Sequence, residues 1–160
     1  MSRGTASTPA TLALTAAGIP YTVHAYAHDP RAAAYGLEAA AELGVDPARV
    51  FKTLIAELDG GLVVGIVPVA DRLDLKALAA ALGGKRAELA DPRLAERRTG
   101  YVVGGISPLG QRQPLPTVLD ETAILCESIF VSGGRRGLDL ELAPDDLVAV
   151  TGARYAPIAR

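Results

Sequence analysis

Lys52 interrupts the apolar run VFKTLIA at 50–56 with a cation. On a strand, alternation sets Lys52, Leu54 and Ala56 on one face and Phe51, Thr53 and Ile55 on the other. Such a lysine either snorkels to water or carries its ammonium into a pocket. The second candidate is the glycine-rich stretch GGISPLGQ at 104–111. Glycines after a strand let amides approach a ligand closely and can form an anion nest or oxyanion hole, but they also make ordinary turns. Ser107 is biased to an extended backbone by Pro108. GISPL lacks the second glycine of the GxSxG elbow, and no helical pattern follows it, which argues against a serine hydrolase. The third candidate is Asp139 in LDLEL at 138–142. It is either a general base just past a glycine turn or, with Glu141, a solvated strand face.

Other reactive side chains offer less. His24 and His28 are four apart, a spacing that does not converge on one metal from a strand and loop, and no HExxH or CxxC accompanies them; no metal is expected. Cys126 lacks a recognisable His/Asn partner pattern and is expected to be a buried free thiol. The Walker pattern is absent, and GGRRG at 133–137 is a weak phosphate cradle. Lysines and arginines gather at 85–98 (Lys85, Arg86, Arg93, Arg97, Arg98) and again at Arg135 and Arg136. Taken alone, both groups read first as solvated faces.

The elements that must position these residues can be read from caps and periodicity. Thr8-Pro9 opens a helix with Leu12, Ala13 and Ala16 as its apolar stripe and Gly18 as its stop. A strand is predicted over 20–26, then a helix over 37–43 closed by Gly44. Asp46-Pro47 repeats the cap signature and leads into the Lys52 strand. Asp59-Gly60-Gly61 turns a hairpin into LVVGIVPV, apolar enough to be covered on both faces. Helices are expected over 74–82 and from Asp91-Pro92 to 99, with a short strand at 101–103. Strands at 117–119 and 128–131 flank a helical turn, and GGRRG is a turn before the LDLEL strand. A helix at 144–150 and an edge strand at 155–158 end the chain. This irregular mixture predicts an α/β or α+β domain around one mixed sheet.

The 160 residues fit one domain, 1–160, with 1–7 flexible; 49% hydrophobic and 21% charged residues suffice for a real core. No apolar run reaches the roughly 18–20 residues that span a bilayer, so no membrane partner is expected. A lone cysteine and no signal-like N-terminus suit a cytoplasmic protein. The net charge of −2 does not advertise nucleic acid, and few aromatics argue against a base-stacking platform.

Six segments then fall in a telling order: TPA at 8–10, HAYAHD at 24–29, YGLEAA at 35–40, FKTL at 51–54, GYVVGGISPLGQ at 100–111 and VSGGRRGLDLEL at 131–142. Together they resemble the YbaK family of prolyl-tRNA-editing homologues, and more narrowly its Cys-tRNA(Pro) deacylases. The resemblance implies a mixed, partly barrel-like sheet flanked by helices. It implies trans hydrolysis of the ester of mischarged Cys-tRNA(Pro), without a cofactor and with prolyl-tRNA synthetase as a partner. Small side chains are discriminated only modestly by size, so a second hydrolytic sieve is needed. By position, Lys52 matches the family's pocket lysine and Thr53 its neighbour. Tyr26 and Tyr35 match pocket-lining residues, Gly104 the loop glycine facing substrate, and Ser132 and Asp139 polar groups on the opposite wall. Gly104 and Gly105 amides would stabilise the carbonyl oxygen, with Ser107 in the same loop. The family's proposed chemistry, attack by the substrate's own thiol, suits a chain with few general bases. The basic 85–98 segment becomes the candidate tRNA face, with Arg135 and Arg136 as further candidate tRNA contacts. Other readings are a deacylase for another mischarged tRNA such as Ala-tRNA(Pro), or a non-catalytic module binding tRNA ends or a synthetase.

Overall fold

Two sheets packed face to face hold the chain together, in a computed structural model that describes residues 7–32 and 34–160. Most of the expected flexible segment, residues 1–6, lies outside the described residues. Helix α1 (Pro9–Ala17) starts at a reciprocal Thr8/Thr11 capping box and stops at Gly18. Its buried side is Ala10, Thr11 and Leu14, while Leu12 is 60% exposed. The expected stripe of Leu12, Ala13 and Ala16 was thus rotated: a stripe rich in alanine is too weak to fix the face. Strand β1 (Thr22–Ala25) is shorter than the 20–26 expected. Helix α2 (Tyr35–Leu43) follows, and a 3-10 turn capped by Asp46 leads into β2 (Phe51–Leu58). The Asp59-Gly60 turn returns the chain as β3 (Gly61–Pro68), paired along the whole of β2 and almost wholly buried.

Helix α3 (Leu75–Ala81), strand β4 (Ala87–Leu89) and helix α4 (Pro92–Thr99) come next. The strand expected at 101–103 is instead a bend and turn with no partner strand, and of these residues Val103 lines the cavity described below. Then come β5 (Thr117–Asp120), a 3-10 turn (Glu121–Leu125), β6 (Ile129–Arg135), β7 (Leu138–Leu142), α5 (Pro144–Thr151) and β8 (Arg154–Ala156). Strand β6 runs through the first residues of the expected GGRRG turn, with a register shift between Ser132 and Arg135.

The single mixed sheet expected from sequence is two sheets, β1-β7-β6, all antiparallel, and β4-β2-β3-β5-β8, mixed. They meet through one Val50–Phe130 bridge and do not close into a barrel. Phe51 and Ile55 of β2 share the main core with Ile129, Val131 and Leu140 of the smaller sheet. The opposite face of β2, Leu54, Ala56 and Leu58, packs in a second cluster with Leu78 of α3. No helix among the described residues is long and apolar enough to cross a membrane.

Candidate functional site

The cavity arises where β2 loses a neighbour. Strand β4 pairs with β2 only at Ala56, Glu57 and Leu58, so the N-terminal half of β2 keeps β3 on one edge and opens on the other. A pocket of about 390 Å³ occupies this opening, within the range of small-molecule sites. Its walls are β2, the start of α2, the β4–α4 segment, the 103–106 loop, and Ser132 and Asp139 of the smaller sheet. Lys52 and Thr53 both line it although alternation puts them on opposite faces, because an unpaired edge exposes both to the same space.

Lys52 is half-buried, and desolvation lowers its pKa against the opposing pull of the Asp71 carboxylate. The Thr53 hydroxyl is shut off from solvent and, among the described residues, has no hydrogen-bond partner. Burying a hydroxyl unpaired costs free energy unless something else satisfies it, which makes this atom a candidate partner for a ligand group.

Asp139 supplies the opposite wall. It pairs in register with Ser132 of β6 and His24 of β1. Leu138 and Leu140 point to the other side of the strand, as the LDLEL alternation requires. Asp139 is only 5% exposed, and its carboxylate makes no hydrogen bond with a described residue. Burial pushes its pKa up to about 7. The solvated-face alternative for Asp139 is therefore overturned: α2 covers that face of the smaller sheet. Tyr26, on the same wall, is pushed up to about 12 by burial and by the Asp139 charge. A carboxyl near 7, in the same cavity as a half-buried ammonium, can take up or release a proton at neutral pH.

The glycine loop contributes less than expected. Gly104 lines the cavity at φ +88°, and a Cβ there would lie 2.8 Å from Arg136 Nε and 2.9 Å from Tyr35 Cδ2. Gly105 does not line it, and its N–H donates to Val102 O at 2.8 Å. That amide closes a turn, so the expected pair of charge-stabilising donors reduces to Gly104. Ser107 is also displaced from the expected site: it is fully buried, and its Oγ accepts from Leu109 N at 3.2 Å. Proline 108 holds it for the turn, not for substrate.

The basic residues fall in separate places: those of α4 and Arg136 lie near the cavity, whereas Lys85 and Arg86 lie by the Asp59 turn at the other end of β2. Pro92 and Ala95 of α4 line the cavity, while Arg93, Arg97 and Arg98 project from the same helix into solvent. Arg97 and Arg98 also suit the helix C-terminus electrostatically. Lys85 and Arg86 are exposed before β4, their backbone amides held by the Asp59 carboxylate. Arg135 is exposed at the end of β6. Arg136 is occupied locally: it donates to Val103 O and lies 4.8 Å over the Tyr35 ring.

Both histidines are absorbed by structural pairs, His24 with Glu141 at 2.9 Å and His28 with Glu38 at 2.7 Å. Cys126 is half-buried, less enclosed than expected, because it ends a short surface turn. Sequence reading passed over Gly36, which lines the cavity where a Cβ would sit 2.3 Å from Val69 Cγ1. A glycine inside a helical pattern is the available signal for such a close approach. The Arg136–Val103 contact had no signal in the sequence.

Comparison with known proteins agrees with this geometry. Residues 29–150 match the model of the aminoacyl-tRNA editing domain. The chain is 41% identical over 120 residues, 74% of its length and 73% of the relative, to a protein of Enterococcus faecalis assigned as the Cys-tRNA(Pro)/Cys-tRNA(Cys) deacylase EbsC. It is similar to a solved structure described as a trans-editing enzyme for prolyl-tRNA synthetase (TM-score 0.84, 28% identity, covering 96% of this chain and 98% of that one). It is equally similar to the hypothetical protein APE2540 (TM-score 0.85, 28% identity, covering 96% of this chain and all of that one). With the family model spanning most of the chain and every cavity residue but Tyr26 falling inside that span, the protein belongs to the aminoacyl-tRNA editing domain family.

Proposed function

We propose that the protein is a trans-acting deacylase of mischarged Cys-tRNA(Pro). The observation that carries this reading is a buried carboxyl, Asp139, in one cavity with Lys52 and the Thr53 hydroxyl, neither Asp139 nor Thr53 having a side-chain hydrogen bond among the described residues. No side chain in that cavity is an evident protein nucleophile, and cysteine brings its own. The substrate sulfur attacks the ester carbonyl carbon, making a C–S bond and a tetrahedral oxyanion. The bond to the ribose oxygen then breaks, the thiol proton ends on that oxygen, and a thiolactone leaves for later hydrolysis by water. The protein's part is orientation and charge stabilisation. The Gly104 amide faces the carbonyl oxygen, Lys52 holds the carbonyl or the tRNA 3′ end, and Asp139 takes the thiol proton or holds the α-ammonium. Thr53, Tyr26, Tyr35 and Ser132 shape the pocket around the aminoacyl group.

Exposed arginines on α4, beside the cavity, offer the tRNA a basic surface that Lys85 and Arg86 extend away from it, on a chain whose net charge is −2. Modest intrinsic tRNA affinity, raised by association with prolyl-tRNA synthetase, fits that balance. Incubation with Cys-tRNA(Pro), Ala-tRNA(Pro) and Cys-tRNA(Cys) tests the reading. Release of both cysteinyl esters with Ala-tRNA(Pro) intact is expected; hydrolysis of Ala-tRNA(Pro) at a similar rate would exclude thiol assistance, and no hydrolysis would leave a binding module. Lys52→Ala should slow deacylation at least about 100-fold in a folded protein.

A further inference from the structure

The peptide unit between Val103 and Gly104 has two ends that matter. Its N–H belongs to Gly104, which lines the cavity and donates to no acceptor among the described residues. Its C=O belongs to Val103, and Arg136 grips that oxygen twice, from Nε at 2.9 Å and from Nη2 at 2.6 Å. In a trans peptide the two bonds point in opposite directions. Holding the oxygen therefore fixes the direction of the N–H. Tyr35 buttresses the grip, its ring 4.8 Å below the guanidinium, and the absent side chain of Gly104 lets both approach.

We infer that Arg136 is a positioning residue, which holds the Val103 carbonyl so that the Gly104 amide is aimed into the cavity at the oxygen that becomes negative. This inference rests on the deacylase reading for its kinetic consequence, though not for its geometry. It separates Arg136 from the rim arginines, which have phosphates as their natural partners. Lysine keeps the charge but lacks the planar fork that reaches one oxygen from two nitrogens.

The test uses Arg136→Lys and Arg136→Gln in the full chain, the residue being exposed so that both should fold. With Cys-tRNA(Pro), each variant should lose about 10- to 100-fold in kcat while KM and its salt dependence stay at wild-type values. Raised KM with a salt slope reduced by about one, at unchanged kcat, would make Arg136 a phosphate contact and overturn the inference. Wild-type kcat and KM in both variants would also overturn it. If the wild-type protein deacylates nothing, the deacylase reading fails, and the inference is read from the Gly104 amide by NMR. A displaced Gly104 cross-peak with faster hydrogen exchange in both variants supports it; an unmoved cross-peak removes it.

Discussion

Asp139 and Glu141 are two carboxylates on one strand and one face, and they have opposite fates. Glu141 accepts from His24, from Ser128 and from Arg49, and these partners hold its pKa below the usual carboxylate range, the Ser128 bond foremost. Asp139, two residues earlier, is more deeply buried, has no such partners among the described residues, and is raised to about 7. One tethers the smaller sheet to the turn before β2, through Arg49. The other is left exposed only to the cavity. A buried carboxylate without compensation is costly, and that cost is the physical ground on which a function is proposed for Asp139 and a structural role for Glu141.

The largest expected difference between the two is catalytic. Asp139→Asn should lower kcat/KM by about 10²–10⁴-fold, and Glu141→Gln should change it little. In the wild type, kcat/KM measured against pH should climb through about 7 and level off above it. A climb that survives in Asp139→Asn would take the proton-transfer role away from Asp139.

Stability should separate the pair next, with slopes of opposite sign. The Asp139 carboxyl binds its proton more tightly folded than unfolded. Its contribution is complete below about 4 and is lost as pH rises through about 7. Asp139→Asn should therefore match the wild type in acid and exceed it above neutrality, by at most about 4 kcal/mol. Glu141 has a lowered pKa, so its contribution is present above its unfolded value and lost as pH falls through the folded one. Glu141→Gln should cost about 1–2 kcal/mol at pH 7 and progressively less in acid. Urea unfolding across a pH series checks both, and parallel curves for the two variants would dissolve the contrast.

The smallest effect extends the same contrast from carboxylates to cations. Lys52 is partly desolvated in the cavity, whereas Arg97 and Arg98 stand in water. Reversing Arg97 and Arg98 to glutamate should flatten the plot of log affinity for tRNA against log salt by about one to two units. An unchanged slope would move the tRNA face elsewhere.

Much of this was legible in the chain, for identifiable reasons. Helix ends at Thr8-Pro9, Asp74, Asp91-Pro92 and Gly44 are local events, set by a side chain bonding an amide or a left-handed glycine, and they fell where expected. The Asp59-Gly60 hairpin and the doubly covered β3 are local in the same sense. The ordered motifs around Lys52, Gly104 and Asp139 pointed to the editing family, and the family model agrees. What failed depended on neighbours distant in sequence. A stripe of alanines could not say which side of α1 would be buried, and Tyr101 to Val103 had strand-like residues but no strand to pair with.

Tertiary structure alone decided the division into two sheets, because a strand's pattern specifies which face is apolar and not which partner covers it. It alone decided that α2 buries Asp139 while Glu141, on the same alternating face, finds three partners. It also withdrew Gly105 and Ser107 into turns and turned Arg136 towards Val103. Residue types and their order determined the family and the candidate groups, since those depend on local chemistry. Which groups face one cavity depends on burial and on contacts between residues as far apart as Val103 and Arg136, and only the folded chain sets those.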